Sequence, residues 1–212
     1  MRLLQLSIIL LFGLSSFTFA EKKKVACLGD SITFGARVKN RGQNSYPAQL
    51  QKLLGDNFIV KNFGVNGCTL LKKGDKPVWK LSSLKNTKSF KPDIVIIKLG
   101  TNDTKPQNWK HSKDFKSDLI ALVKELQALE SKPKIFLCKP VPVYQTRWGI
   151  NDKTVKEGVI PIVEAVAKEM KLGLIDLYTV LSNKPELFPD KVHPNGKGAG
   201  IMAETVMKAI KK

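Results

Sequence analysis

A serine that follows a predicted strand is the first residue of this sequence that could act as a nucleophile. The apolar residues 25–28 are followed by Gly-Asp-Ser-Ile-Thr at positions 29–33. An apolar run that ends in Gly-Asp-Ser predicts a buried strand, then a loop and the start of a helix. Open α/β sheets bind ligands at such strand ends, and the N–H groups of the new helix would stabilise negative charge beside Ser31. The alternative is that Asp30 or Ser31 only caps the helix.

A histidine near the carboxyl terminus is the candidate general base. His193 follows Asp190 by three residues, just before a predicted last helix. An acid at this spacing can fold back to Nδ1, which fixes the tautomer, stabilises the imidazolium and leaves Nε2 free for Ser31. The other histidine, His111, lies in a polar stretch with no acid placed to orient it, and we expect it at the surface. Helix capping by Asp190 or Asn195 is the alternative for this stretch.

Two further loops carry groups that could donate hydrogen bonds. The sequence Asn-Phe-Gly-Val-Asn-Gly-Cys at 62–68 places glycines after a predicted strand, where the backbone can approach a ligand closely. The sequence Leu-Gly-Thr-Asn-Asp at 99–103 presents the side-chain amide of Asn102 after another strand. Gly, Asn and Asp are also common turn residues, so each loop alone is a weak indication.

Hydrophobic patterns predict strands that alternate with helices along the chain. The predicted strands are 24–28, 58–62, 93–99, 134–140 and 172–177, and the predicted helices are 47–54, 114–130, 152–170 and 199–210. This alternation predicts a three-layer α/β fold, in which helices cover both faces of a five-stranded parallel sheet. With right-handed crossovers we expect the flavodoxin-like order 2-1-3-4-5, in which Ser31 and the loop after Leu99 flank the same crevice.

Together the four loops resemble, in order and residue type, the four motif blocks of the SGNH hydrolases, also called the GDSL esterase/lipase family. The resemblance runs from the first strand to the last helix. It implies that Ser31 is the nucleophile, that His193 is the general base and acid, and that Asp190 orients His193. Ile32 stands where the Gly-Asp-Ser-Leu motif of the family has leucine, which is a conservative change. The chain has no Gly-x-Ser-x-Gly sequence, which argues against the nucleophile elbow of the α/β-hydrolases.

The resemblance also implies an oxyanion hole. Its donors would be the backbone N–H groups of Ser31 and Gly67 and Nδ2 of Asn102. Gly67 is preferred to Gly64 because the glycine of the family lies late in this loop.

Two loops with aromatic side chains are the candidate substrate-binding region. They contain Trp109, Tyr144, Arg147 and Trp148, and both follow predicted strands. Exposed there, the rings would stack on a sugar and the guanidinium would bind a carboxylate, although tryptophans in loops are more often packed into the core. The loops are similar to those of secreted bacterial sialate O-acetylesterase-like proteins and carbohydrate acetylesterases.

This similarity implies a serine esterase that removes O-acetyl groups from a carbohydrate, either sialic acid or a plant or bacterial glycan. One alternative is a lysophospholipase, thioesterase or arylesterase that acts on longer acyl chains, which would need a long apolar groove beside Ser31. A second alternative, from a different class, is a glycan-binding module without catalytic activity.

Composition favours an acidic partner but argues against nucleic acid. The formal net charge is +18 at pH 7, which favours partners such as anionic glycans. The lysines are spread along the chain, whereas binding of a phosphate backbone needs a concentrated basic stripe with interleaved aromatic residues. The histidines and cysteines are not clustered, so we expect no metal and no cofactor. We expect Cys27 and Cys138, which lie in predicted strands, to be small buried apolar residues.

The first twenty residues are typical of a secretory signal peptide. One positive charge precedes a long apolar stretch that ends in Ala20, and a charged run follows. A membrane anchor is the alternative, but the stretch is at the short limit for a bilayer span. We therefore expect a signal peptide at 1–20, a single domain at 21–212, secretion or export to the periplasm, and no stable membrane insertion after cleavage.

Overall fold

A parallel five-stranded sheet forms the centre of the computed structural model, which describes residues 21–212. The predicted signal peptide at 1–20 lies outside the described residues. The strands are β1 Lys23–Gly29, β2 Phe58–Gly64, β3 Ile94–Lys98, β4 Lys134–Lys139 and β5 Gly173–Asp176. Their order in the sheet is β2-β1-β3-β4-β5, which confirms the predicted topology.

The helices lie in the connections between strands and after β5. They are α1 Ser31–Phe34, α2 Arg41–Asn44, α3 Tyr46–Leu54, α4 Ser82–Ser89, α5 Pro106–Trp109, α6 Phe115–Gln127, α7 Asp152–Thr154, α8 Ile160–Glu169, α9 Leu177–Leu181 and α10 Gly196–Ile210. A π-helical turn at Val155–Val159 joins α7 to α8, so the helix predicted at 152–170 is interrupted. None of the helices described for residues 21–212 combines the length and the apolar character that a membrane span requires.

The start of α10 differs from the prediction because of its N-cap. The side chain of Asn195 accepts hydrogen bonds from the backbone N–H groups of Lys197 and Gly198, each at 3.0 Å. This cap supports a first turn that contains two glycines, so the helix starts at Gly196 instead of residue 199. The sequence did not predict α4, whose residues are mostly polar and which buries one large apolar side chain, Leu84.

Two of the three hydrophobic clusters of the described residues lie on opposite faces of the sheet and hold the layers together. Successive side chains of a strand point to opposite faces, and in β1 Val25 and Cys27 enter one core while Ala26 and Leu28 enter the other. The first core lies between the sheet and the helices α3, α9 and α10. The second lies between the sheet and the helices α4, α6 and α8. The sheet is therefore covered on both faces, as its near-continuous apolar strands require.

All three cysteines are free and buried. Cys27 and Cys138 belong to the core beside α3 and α10, and Cys68 belongs to the opposite core. Burial raises the pKa of Cys27 to about 12, and it also raises the pKa values of the other two thiols. Cys27 and Cys138 are thus the small apolar core residues that the sequence predicted.

The strand register determines which loops meet. Gly29 at the end of β1 lies beside Gly64 in β2 and Lys98 in β3. The chain therefore leaves three neighbouring strands at one edge of the sheet, and the loops that carry Ser31, Gly67 and Asn102 come together there.

Candidate active site

Ser31, His193 and Asp190 form a continuous chain of hydrogen bonds. Ser31 Oγ lies 2.8 Å from His193 Nε2, and His193 Nδ1 lies 2.8 Å from Asp190 Oδ2. When Nδ1 carries the ring proton and donates a hydrogen bond to the carboxylate, Nε2 is unprotonated. It can then accept the proton of the serine hydroxyl. All three residues are buried, with 7–8% of their surface exposed. The structure thus brings together three residues that are separated by up to 162 positions in the sequence.

The carboxylate of Asp190 is held in its charged form by the turn that precedes α10. Burial opposes ionisation, but the backbone N–H and imidazole of His193 and the N–H of Val192 outweigh it, so the pKa of Asp190 is lowered from its ordinary value. Asp190 Oδ1 accepts hydrogen bonds from the N–H groups of Val192 and His193, at 3.1 and 2.7 Å. These bonds leave Oδ2 for the imidazole. Arg37 Nε lies 3.6 Å from the same Oδ2 at the edge of the site.

The turn that carries Ser31 rests on a buried ion pair that the sequence analysis did not identify. Asp30 Oδ1 accepts a hydrogen bond from the N–H of Ile32 at 2.9 Å, so Asp30 does cap α1. Lys98 Nζ donates to both carboxylate oxygens of Asp30, at 3.2 and 3.0 Å, and to Oγ1 of Thr101 at 2.7 Å. Neither Lys98 nor Asp30 is exposed to solvent. The feature of the sequence that points to this ion pair is Lys98, a lysine at the end of an otherwise apolar strand.

The three residues that the sequence predicts to donate to an oxyanion all belong to the lining of one cavity. Gly67 and Asn102 line this cavity together with Ser31 and His193. Within residues 21–212 no hydrogen bond occupies the backbone N–H of Ser31 or Gly67. Asn102 Nδ2 donates one hydrogen bond to the carbonyl of Cys68 at 3.1 Å, and an amide group has a second proton to offer.

Gly64, the other glycine of the segment 62–68, has a packing function. Its N–H donates to Asn62 Oδ1 at 2.9 Å. A Cβ at Gly64 would lie 2.1 Å from the backbone nitrogen of Phe34, so the glycine allows β2 to approach α1 closely. Gly67, in contrast, has a positive φ of 77° and an open approach to the cavity. Gly67, unlike Gly64, is part of the cavity lining.

The loop of Asn102 is fixed by its neighbour Asp103. The carboxylate of Asp103 accepts hydrogen bonds from the N–H groups of Leu70 and Leu71, at 3.1 and 2.8 Å. Asp103 is fully buried, and burial raises its pKa to about 7 although these N–H groups lower it. The buried carboxylate of Asp103 thus joins the loop that follows β2 to the loop that follows β3.

The cavity in front of Ser31 is open and has a volume of about 730 Å³. Its lining within the described part of the chain contains three cations and no carboxylate. The lining residues are Ser31, Phe34, Gly35, Ala36, Arg37, Val38, Arg41, Asn66, Gly67, Asn102, Lys105, Trp148, Ile150 and His193. Trp148 is 50% exposed, and its ring centroid lies 5.9 Å from that of His193.

Of the four residues predicted to bind substrate, only Trp148 lines the cavity. The ring of Trp109 packs against Phe115 at 5.7 Å and fills the space beside Gly158, where a Cβ would lie 2.4 Å from it. Trp109 therefore does not line the cavity in front of Ser31, because its partly buried ring packs against the core.

Local contacts also determine the positions of Tyr144 and Arg147. The hydroxyl of Tyr144 donates to the carbonyl of Leu181, and its ring packs edge-on against Phe188 at 5.0 Å. For this reason Tyr144 does not line the cavity in front of Ser31. Arg147 does not line the cavity itself but stacks on Trp148, with 4.6 Å between the guanidinium carbon and the ring centroid. His111 lies outside the described lining. In residues 21–212 no three His, Cys, Asp or Glu side chains are grouped as metal ligands.

Comparison with known proteins identifies relatives along most of the chain. Residues 27–201 match the profile of the GDSL-like lipase/acylhydrolase family. An acetylxylan esterase of Xylanibacter ruminicola is 43% identical over 206 residues, which cover 89% of this chain and 43% of that protein. The chain thus spans less than half the length of this curated relative.

Solved structures share the fold at low sequence identity. A carbohydrate acetylesterase from Sinorhizobium meliloti is 21% identical with a TM-score of 0.73, and the match covers 90% of this chain and 99% of that one. An aryl esterase from M. smegmatis is 22% identical with a TM-score of 0.72, and the match covers 89% of this chain and 98% of that one. At this level of identity the two structures indicate the architecture alone.

We predict that Lys98→Met lowers the free energy of unfolding by about 3–5 kcal/mol, because it leaves the Asp30 carboxylate buried without a cation. Urea unfolding at pH 7 measures the loss. The double variant Lys98→Met/Asp30→Asn is the control, because an asparagine can still cap α1 and no charge remains buried. It should be more stable than Lys98→Met. Equal stability of the two variants would contradict the role assigned to the pair.

We also predict that the stability advantage of the wild type over Asp103→Asn shrinks as the pH rises from about 4 to about 7. The folded protein holds the proton of Asp103 up to a pKa of about 7, whereas the ordinary value is 3.8. Over this range the folded state therefore binds more protons than the unfolded state, and stability falls with pH. Urea unfolding of both proteins at pH 4, 5, 6, 7 and 8 tests this. A difference that is constant or grows with pH would refute it.

Proposed function

Because the chain belongs to the GDSL-like lipase/acylhydrolase family, we propose that it hydrolyses carboxylic esters, with an acetyl group as the acyl part and a carbohydrate as the alcohol part. The observation that carries the proposal is the hydrogen-bonded chain Ser31–His193–Asp190, which opens into a cavity lined by the donors of Gly67 and Asn102. Such a chain is the arrangement that activates a serine for acyl transfer.

The first half-reaction transfers the acyl group to the enzyme. Ser31 Oγ attacks the ester carbonyl as His193 Nε2 takes its proton, and Asp190 stabilises the imidazolium that forms. The negative charge on the carbonyl oxygen is held by the N–H groups of Ser31 and Gly67 and by Nδ2 of Asn102. When the tetrahedral intermediate collapses, His193 returns the proton to the leaving alcohol, and the acyl group remains on Ser31.

The second half-reaction repeats these steps with water. His193 removes a proton from the water molecule that attacks the acyl-enzyme, and the same three donors stabilise the second oxyanion. Collapse releases the acid and returns the proton to Ser31 Oγ. No group beyond these residues is needed for the proton transfers.

An acetylated carbohydrate is the substrate that we favour. The name of the curated relative, an acetylxylan esterase, supports an acetylated plant glycan, and an acetylated sialic acid is the second glycan considered. The exposed ring of Trp148 offers a flat face to a sugar beside His193. The cations Arg37, Arg41 and Lys105 around the cavity suit a polar alcohol better than a long acyl chain.

A longer or aromatic acyl group is the second candidate. The observation in its favour is the group of apolar side chains Phe34, Val38 and Ile150 in the cavity lining. A glycan-binding module without catalysis is opposed by the hydrogen bond between Ser31 and His193, which a binding function does not require.

Secretion is part of the same proposal. Residues 1–20 would be removed as a signal peptide, which would bring residues 21–212 to a compartment where polymeric glycans are accessible.

We predict that the wild-type protein hydrolyses p-nitrophenyl acetate faster than the octanoate and palmitate esters, because a long chain would lie against the charged rim. Ser31→Ala should reduce all three rates to residual background. Ser82→Ala, a substitution of an exposed serine at the start of α4, is the matched control and should keep full activity. Preference for the long-chain esters would overturn the acetyl specificity, and full activity of Ser31→Ala would overturn the mechanism.

We predict that Asn102→Ala lowers kcat about 100- to 1000-fold, because it removes one oxyanion donor. Asn86→Ala, on the exposed face of α4, is the matched control and should leave kcat unchanged. Steady-state kinetics with p-nitrophenyl acetate give both values, and circular dichroism checks the fold. If Asn102→Ala retained near-normal kcat, Asn102 would not belong to the oxyanion hole.

A further inference from the structure

The lining of the cavity has a concentration of positive charge that the esterase reaction does not use. Arg37, Arg41 and Lys105 line the same cavity as Ser31 and His193, and its described lining contains no Asp or Glu. A concave site with charges of one sign raises the local concentration of oppositely charged ligands. The chain as a whole carries a net charge of +18, but these three cations converge on one cavity.

The three cations differ in the acids that already neutralise them. Arg37 Nε lies 3.6 Å from Asp190, and Lys105 Nζ lies 3.5 Å from Asp75. Arg41 has no ion-pair partner among the acidic residues of 21–212. Arg41 is therefore the cation of this cavity with a charge available to a ligand.

The side chain of Arg41 is also held in a defined position. Its guanidinium carbon lies 3.9 Å from the ring centroid of Phe34, and Nη1 donates to the carbonyl of Phe34 at 3.4 Å. Its stem crosses Gly35, where a Cβ would lie 2.8 Å from Cγ of Arg41 and φ is +90°. A guanidinium that is stacked in this way has little conformational entropy left to lose, and its free N–H groups match the two oxygens of a carboxylate.

We infer that Arg41 is the centre of a carboxylate subsite, and that the natural substrate is an acetylated glycan that bears a carboxylate on the acetylated sugar or on its direct neighbour. This inference rests on the proposed function, because the acetyl ester has to be at Ser31 when the carboxylate is at Arg41. A cavity of about 730 Å³ accommodates one or two sugar units, which sets the spacing of the two groups. Arg37 lies on the same rim and adds to the attraction.

The test compares two substrates that differ only in this charge. One is an acetylated xylo-oligosaccharide with a glucuronic acid side group, and the other is the same compound with the carboxylate converted to its methylamide. We expect the wild-type protein to hydrolyse the charged compound with about tenfold higher kcat/KM at low ionic strength. We expect this preference to decline in 0.5 M NaCl, because salt screens exposed charges.

Variants of Arg41 test whether this residue causes the preference for the charged substrate. Arg41→Gln should remove most of the preference for the charged substrate, by raising KM for that substrate. Arg41→Lys keeps the charge but loses the planar pair of N–H donors, and it should remove part of the preference. Lys39→Gln is the matched control, because it removes one exposed positive charge two residues away and outside the cavity lining, and it should retain the full preference. Thermal unfolding checks that each variant is folded.

The experiment distinguishes a failure of the carboxylate subsite from a failure of the carbohydrate substrate or of the esterase activity. Equal hydrolysis of both substrates by the wild type, or an unchanged preference in Arg41→Gln, would overturn the subsite and leave the esterase proposal standing. No acetate release from either glycan, with p-nitrophenyl acetate still hydrolysed, would overturn the carbohydrate substrate and the subsite together. No hydrolysis of p-nitrophenyl acetate would overturn the esterase itself.

Discussion

The buried ion pair between Lys98 and Asp30 is the interaction on which the site depends. All three protons of the Lys98 ammonium are used, two by the carboxylate of Asp30 and one by the hydroxyl of Thr101. Asp30 precedes Ser31 and Thr101 precedes Asn102, so one cation connects the serine turn to the loop of the amide donor. Charges without solvent exposure are tolerated only when they are paired and hydrogen-bonded in this way. The distance between these two loops is therefore fixed by side chains that are buried from solvent.

The sheet topology and the hydrogen-bonded chain at its edge could be predicted from the sequence because both depend on local rules. Apolar runs separated by helical patterns leave few arrangements for a parallel sheet, and such a sheet gathers the carboxyl ends of its strands. The spacing of Asp190 and His193 is short enough for one tight turn, so their contact was also predictable. The predicted strand order placed Ser31 only beside the loop after Leu99, and the pairing of Ser31 with His193 came from the resemblance to the SGNH hydrolases.

The functions of aromatic and charged side chains in the loops could not be predicted in the same way. Trp109 and Trp148 both follow strands, but Gly158 provides space for the first ring, whereas the second stacks under Arg147 and stays half exposed. Tyr144 turns away because its hydroxyl finds the carbonyl of Leu181, which is 37 positions distant. The partner of Lys98 is 68 positions away. Each of these outcomes depends on tertiary contacts that no local pattern encodes.

The reactivity of the three buried thiols would report when helices separate from the sheet. Cys27 and Cys138 lie on one side of the sheet and Cys68 on the other, and burial keeps all three in the protonated, unreactive form. An alkylating reagent can therefore reach them only when the layer above them detaches. Labelling rates at the individual cysteines would distinguish separation of α3 and α10 from separation of α4, α6 and α8, without any engineered probe.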